Sequence, residues 1–295
     1  MRLLAILLTL VSQPYVGITY IDRTESMPRA VHMRIVQVDL TARGIRFKLS
    51  PPAGAREVVR ERTLDYLRKE GAQIAINAHY FWPFPSADVE AVIIGIGASN
   101  GKVYSAFESP VQSYALVADA PGINIDAGNR ATLVHRESAD PDRTHVVERV
   151  TLWNTVAGSA QIVTAGVVTI PVYTDPEHPS ALLTPGGPNR YSNDSSWYDA
   201  VNARTSIGLS RDSRTLTLFT VDARGGSTGM KVREVAEILV KDYGVWDALN
   251  LDGGGSTSLA MEEPETHVAS LVNASSDNPA GRAVGSSLAV FAQPR

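Results

Sequence analysis

The segment Asn250-Leu251-Asp252-Gly253-Gly254-Gly255-Ser256-Thr257 is the densest concentration of potential chemistry in the chain. Three successive glycines after an apolar run free the main chain to take positive φ and let a ligand approach the backbone. Their N–H groups can form a concavity for an anion, flanked by Asp252, Ser256 and Thr257. A tight turn needs one or two glycines, not three beside an acid. No Gly-Lys-Ser/Thr follows, so this is not a Walker-type nucleotide loop. Gly254 and Thr257 fall where an EF-hand requires a ligand and a glycine, so it is not a calcium loop either.

A rival lies upstream. Gly225-Gly226-Ser227-Thr228-Gly229 fits the G-x-S-x-G elbow of a nucleophilic serine, with Asp252 and His267 following in order. Yet only 66 residues follow Gly229, and the repeated strand–helix units of that hydrolase sheet do not precede it. Ser227 or Thr228 as a helix N-cap is the simpler expectation. Gly95-Ile96-Gly97 is followed by Asn100 in the sixth position, so the dinucleotide fingerprint fails. The six histidines show no metal-binding spacing, and neither a metal nor another cofactor is expected. His79 stands apart because it follows an apolar strand among Tyr80, Phe81 and Trp82, where the aromatic faces suit either a sugar ring or ordinary packing.

The elements that must position these residues are legible in outline. Residues 31–49 alternate as strands around the Arg43-Gly44 turn. Glu57 to Glu70 reads as an amphipathic helix ended by Gly71, and Ile74-Ala75-Ile76 as a buried strand. Asn100-Gly101 marks a hairpin. Residues 175–199 read as a loop, and Thr205–Leu209 with Leu216–Val221 as a hairpin. Val232 to Tyr243 is a second helix, ended by Gly244. Two helices among many short strands predict an α+β fold: a mixed, largely antiparallel sheet with two main helices packed on it, in a single domain. An echo joins the helices. Gly71-Ala-Gln-Ile-Ala-Ile-Asn77 and Gly244-Val-Trp-Asp-Ala-Leu-Asn250 each run from a helix-ending glycine through a strand to an asparagine. If the echo is structural, both strand ends can face one cleft.

Composition narrows the functions. The 295 residues are 44% apolar and 20% charged, which excludes disorder, collagen and coiled coil. A net charge of −4 argues against nucleic acid as a partner. Absence of cysteine removes thiolate metal sites, cysteine nucleophiles and disulfides together. Met1-Arg2 and the apolar run Leu3–Val11 have the pattern of a leader over residues 1–20, ahead of a domain over residues 21–295 that carries a loop-rich insertion at 175–200. Nine residues are too few to span a bilayer, so no integral span is expected and the location is secreted or periplasmic. A buried first strand or a mis-assigned start is the alternative reading of that run.

Taken in order, several segments resemble the phosphodiester glycosidase family. They are Asn77 with Tyr80 and Phe81; Ala157-Gly158-Ser159; Arg204-Thr205 with Ile207-Gly208; Asp222 with Arg224; the Asn250–Ser256 loop; and Asn273 with Gly281-Arg282. The resemblance spans residues 30–292, and departs from the family pattern at Ala78-His79 and at Ala223. It implies hydrolysis of a sugar-1-phosphodiester at its glycosidic bond, releasing free sugar and a phosphomonoester. On that reading Asp252 is nucleophile or base, and Asp222 is the second acid or orients an arginine. The Gly253, Gly254 and Gly255 amides with Arg204 and Arg282 hold phosphate. Asn77 and Asn250 hold sugar hydroxyls, and His79, Tyr80, Ser159, Thr205, Arg224, Ser256 and Asn273 complete the substrate contacts. The other class of function is a non-catalytic envelope or exopolysaccharide-binding protein using the same cleft; two carboxylates, Asp222 and Asp252, favour the enzyme.

Overall fold

The computed structural model describes residues 7–108, 117–170 and 198–295. Every strand pairing among them is antiparallel. The largest sheet has eight strands in the order Leu7–Ser12, Ile18–Glu25, Val31–Asp39, Thr215–Val221, Arg204–Ser210, Val245–Asn250, Ala160–Thr164, Val167–Val168. A second sheet of five runs Ala269–Leu271, Leu259–Glu262, Ile74–Asn77, Ser287–Phe291, Arg46–Leu49. A third sheet of five is centred on Asn154–Ala157.

One apolar core joins the three sheets. Val36, Val38, Ile207, Leu218 and Leu249 from the first meet Ile74, Ile76, Leu259, Leu288 and Val290 from the second, with Ile123, Ile125 and Val156 from the third. Fully burying each such side chain stabilises the fold by about 2 kcal/mol. A helix covers the outer face of each of the first two sheets. α1 (Thr63–Glu70) lays Tyr66 and Leu67 over Ala75, Ala260 and Ala289. α2 (Val232–Tyr243) lays Val235, Ala236 and Leu239 over Ile35, Phe219 and Ala248. Strand alternation explains the division: Ala75 and Ala248 face a helix, where a small side chain admits close approach, while Ile76 and Leu249 face the common core.

The echo between the two helix–strand units is therefore structural. Gly71 and Gly244 both end their helices in the left-handed conformation, at φ 67° and 63°. The fold has the expected sheet-rich character with two α-helices among the described residues, but it contains several sheets rather than one. α1 starts later than its sequence suggests. Val58-Val59 pairs with Glu90-Ala91 and Glu61-Arg62 with Ala283-Val284, so the β-branched pair is drawn into strand geometry and the helix begins at Thr63. The Asn100-Gly101 hairpin forms with positive φ at both residues, as a two-residue turn requires. α2 spans the expected residues, but its N-cap is Lys231. The Lys231 N–H donates to the Glu234 carboxylate at 2.7 Å, so neither Ser227 nor Thr228 caps it.

The described part of the N-terminal apolar run, Leu7–Ser12, is an edge strand with its side chains exposed. Most of the 175–199 loop, including Tyr191 and Trp197, lies outside the described residues; Tyr198 at its end is buried against α2. No helix among the described residues is long and apolar enough to cross a membrane.

Candidate active site

The glycine loop starts where the two facing sheets are tied together. Leu251 N–H donates to the Thr205 carbonyl at 2.9 Å, and Asp252 N–H to the Ala78 carbonyl at 3.1 Å. Asn77, fully buried, closes the join. Its Nδ2 donates to the Asp252 carbonyl at 2.6 Å, and its Oδ1 accepts from Ser258 N–H and from Thr205 Oγ1, both at 3.0 Å. The chain then turns through Gly254, at φ +59°, into one 3-10 turn over Gly254–Ser256. Gly255 is required for a different reason. A Cβ there would lie 2.3 Å from Arg282 Nη2, so only a glycine lets the guanidinium lie against the loop.

Asp252 is almost enclosed, and burial pushes its carboxyl up to about 7 against the opposing pull of the Ser256 hydroxyl, the Arg282 charge and the Gly253 N–H. Arg282 is held on several sides. Its Nε donates to Asp277 at 2.9 Å, Nη1 to Ser256 Oγ at 3.3 Å, and its face lies 4.5 Å from the centre of the Phe84 ring. Asp252, Ser256, Arg282 and Asp277 thus form one polar cluster.

The cluster is one wall of a cavity of about 660 Å³. Gly253, Gly254, Gly255, Asn202 and Ser276 line it as well, and Tyr80, Phe81, Trp82, Phe84 and Ile94 form an aromatic wall that meets the polar cluster where the Phe84 ring lies against Arg282. An aromatic wall beside a polar, charged one suits an amphipathic ligand: the apolar face of a ring can stack on the first while hydroxyls and an anionic group meet the second.

The remaining sequence candidates divide sharply. Asn250 supports the wall from beneath, donating through Nδ2 to Ser159 Oγ at 2.9 Å and to the Tyr80 hydroxyl at 3.2 Å. Thr205 and Asn77 brace each other behind Asp252. These are supporting groups, not pocket-lining ones. Asp222 is buried away from the cavity, its carboxylate held by Arg34, by Asn273 Nδ2 at 3.2 Å and by Ala274 N–H at 3.1 Å. Burial nevertheless leaves its pKa raised. Asn273 passes this anchorage on, donating to the Thr257 carbonyl at 3.1 Å and accepting from Leu259 N–H at 2.7 Å.

Several expectations need correction. Arg204 is fully buried, its guanidinium donating to the Met230 carbonyl at 3.0 Å and to that of Ala200, so it fixes main chain and does not line the cavity. His79 is also fully buried, with ring nitrogens 2.9 Å from Ser286 Oγ and 3.1 Å from the Ile96 carbonyl; burial pushes its imidazole down to about 4, and it packs rather than facing a sugar. The cradle of free glycine amides is reduced, since Gly254 N–H donates to Ala203 at 2.8 Å and Gly253 N–H serves Asp252. Arg224 likewise falls outside the cavity lining. Ser227 lies outside the cavity lining, and its hydroxyl donates to the Asp222 carbonyl at 2.5 Å and accepts from His32 N–H at 3.0 Å, stitching the turn after Val221. No cluster of metal-ligating side chains occurs among the described residues.

The profile of one family, phosphodiester glycosidase, matches residues 70–291. The chain belongs to the phosphodiester glycosidase family. The match takes in the aromatic wall, the glycine loop and Arg282. No curated protein sequence matches the chain. Several solved structures share its fold, among them the following three. The catalytic domain of zebrafish N-acetylglucosamine-1-phosphodiester alpha-N-acetylglucosaminidase, auto-inhibited by its pro-peptide, superposes with a TM-score of 0.61 at 20% identity, covering 99% of this chain and 85% of that one. A hypothetical protein from Synechocystis gives 0.58 at 15% identity, covering 98% and 68%. A protein classed as exported, from Burkholderia pseudomallei, gives 0.58 at 16% identity, covering 89% and 74%.

Within the phosphodiester glycosidase fold, the cavity residues that the sequence did not single out are Phe84, Ile94, Asn202, Ser276 and Asp277. The aromatic run Trp82-Pro83-Phe84 was a usable signal for Phe84, and the five-residue spacing from Asp277 to Arg282 across a Pro/Gly turn was one for Asp277. Asn202 and Ser276 carried none.

Proposed function

We propose that this phosphodiester glycosidase hydrolyses the glycosidic bond of sugar-1-phosphodiesters. The observation that carries the reading is the placing of Asp252 and Arg282 together in one pocket, with Ser256 between them and aromatic rings in the same lining. Water adds its oxygen to the anomeric carbon, the bond from that carbon to the phosphate oxygen breaks, and the phosphate leaves with the electron pair. Free sugar and a phosphomonoester result, with one proton left over at neutral pH.

Each group has a stated task. Ionised Asp252 serves the anomeric carbon, either by direct attack or by taking the proton of the incoming water. A departing phosphomonoester has its second pKa near 6, so it needs neutralisation of charge more than protonation. Arg282 supplies that charge, and the Ser256 hydroxyl adds a hydrogen bond. The ring of the sugar or of the aglycone stacks on the Tyr80–Phe84 side. Asp277 takes the place that the sequence reading gave to Asp222 as the second carboxylate of the pocket, while Asp222 anchors the Asn273 turn behind it.

Export of the mature chain belongs to the same proposal. It rests on the apolar run from Leu3 to Val11 and on the likeness to a structure classed as exported. The functional test is a panel of sugar-1-phosphodiesters assayed for free sugar. Release of reducing sugar that disappears in Asp252→Asn supports hydrolysis; saturable binding of the panel with no release supports the polysaccharide-binding alternative.

A further inference from the structure

We infer that Asp277 sets the charge selectivity of the pocket, so that it holds singly charged phosphodiesters and rejects the doubly charged phosphomonoester that hydrolysis produces. The inference rests on the proposed hydrolysis, and concerns how substrate is told from product.

The argument is one of charge balance. Among the described residues that line the cavity, the ionisable side chains that carry formal charge are Asp252, Asp277 and Arg282. One guanidinium therefore serves two carboxyl groups. Its Nε is already committed to Asp277 at 2.9 Å, Nη1 reaches Ser256 Oγ, and one face is covered by the Phe84 ring. A phosphodiester brings one negative charge, which Arg282 can meet. A phosphomonoester brings close to two above pH 6. The second charge finds no additional cation among the described residues of the lining and lies near the carboxylate of Asp277.

Asp277 is suited to this by its place as well as its charge. Its side chain is about half exposed, on the loop between Asn273 and Arg282, so removing its charge leaves no buried ion unpaired. Solvent screening at such a site keeps its repulsion moderate, on the order of tenfold in affinity for one extra ligand charge a few ångströms away. That is enough to favour product release without forbidding substrate. An asparagine can still accept from Arg282 Nε, so Asp277→Asn removes charge while keeping the guanidinium in place.

The test compares two ligands of nearly equal shape, phenyl phosphate and methyl phenyl phosphate, by calorimetry at pH 7.5 with the wild-type protein, Asp277→Asn and Asp277→Glu. The wild type should bind the methyl diester at least fivefold more tightly than the monoester. Asp277→Asn should shrink that ratio by on the order of tenfold, chiefly through tighter monoester binding. Asp277→Glu should restore it, which a purely structural role for Asp277 does not predict. An unchanged ratio in a folded Asp277→Asn variant overturns the inference, and so does a wild-type preference for the monoester. Wild-type release of free sugar from a sugar-1-phosphodiester, measured alongside, isolates the selectivity claim: an unchanged ratio with release intact sinks it alone. Failure to bind either ligand, in protein that also releases no sugar, sinks the proposed hydrolysis beneath it.

Discussion

The side-chain amide of Asn77 donates to the main-chain carbonyl of Asp252 at 2.6 Å, across 175 residues of sequence and between two different sheets. Asn77 ends the central strand of one sheet and Asp252 follows the strand Val245–Asn250 of the other. The position of the carboxyl group in the cavity is thereby set by sheet-to-sheet packing rather than by the glycine loop alone.

Asn77→Ala should accordingly cost stability and activity together. It leaves the Asp252 carbonyl and Ser258 N–H without their buried partner, each stranded group costing about 1–3 kcal/mol, and leaves Thr205 Oγ1 with Thr257 Oγ1 alone. Denaturant unfolding should show a loss of about 3 kcal/mol or more. A change below 1 kcal/mol would falsify the account of the join.

Asp252→Asn should act in opposite directions on activity and stability. Turnover should fall at least about a hundredfold if the carboxylate serves the anomeric carbon. Because burial raises the folded-state pKa to about 7 from 3.8, the folded protein binds the extra proton between those values, and the wild type loses stability as pH rises from 4 to 7. The asparagine carries no such penalty, so at pH 8 the variant should be the more stable, by up to about 4 kcal/mol. In the wild type, kcat/KM should rise with pH through about 7. A flat profile there, or equal stability of the two proteins at pH 8, contradicts this electrostatic description.

Gly255→Ala should impair ligand binding more than folding. The new methyl group would meet Arg282 Nη2 at 2.3 Å and Asp277 Cβ at 2.7 Å, so the arginine must move off the loop. Phosphodiester affinity should drop about tenfold or more, with a smaller fall in thermal midpoint, because the arginine can swing outward while Asp277 Cβ moves only with its loop. Wild-type affinity in a soundly folded variant counts against Arg282 as the anion partner.

Asp222→Asn and Ser227→Ala separate anchorage from chemistry. Losing the Asp222 charge leaves Arg34 without its nearest buried partner, and breaking such a pair costs about 3–5 kcal/mol. Losing the Ser227 hydroxyl removes two hydrogen bonds, at about 1 kcal/mol, with turnover close to wild type. A thousandfold loss of turnover in folded Ser227→Ala, read by single-turnover kinetics, restores the serine-nucleophile reading.

Local chemistry was readable from the chain. Gly71 and Gly244 end both helices because helix termination depends on the backbone freedom of one residue, and α2 lies where its periodicity puts it. The three glycines beside Asp252 pointed to the pocket for the same reason, as did the aromatics after Asn77. Tertiary structure alone decided which like residues face a ligand. Arg204 and Arg282 are the same residue type in matching company, yet one guanidinium is consumed by the carbonyls of Met230 and Ala200 while the other lines the cavity. Asp222, expected in the site, is enclosed by Arg34 and Asn273, while Asp277, which the sequence did not single out, lines the pocket. The number and type of polar groups are properties of the sequence. Which of them is spent on the fold depends on strand register and on contacts between residues far apart in the chain, and those distances exist only once the sheets have packed.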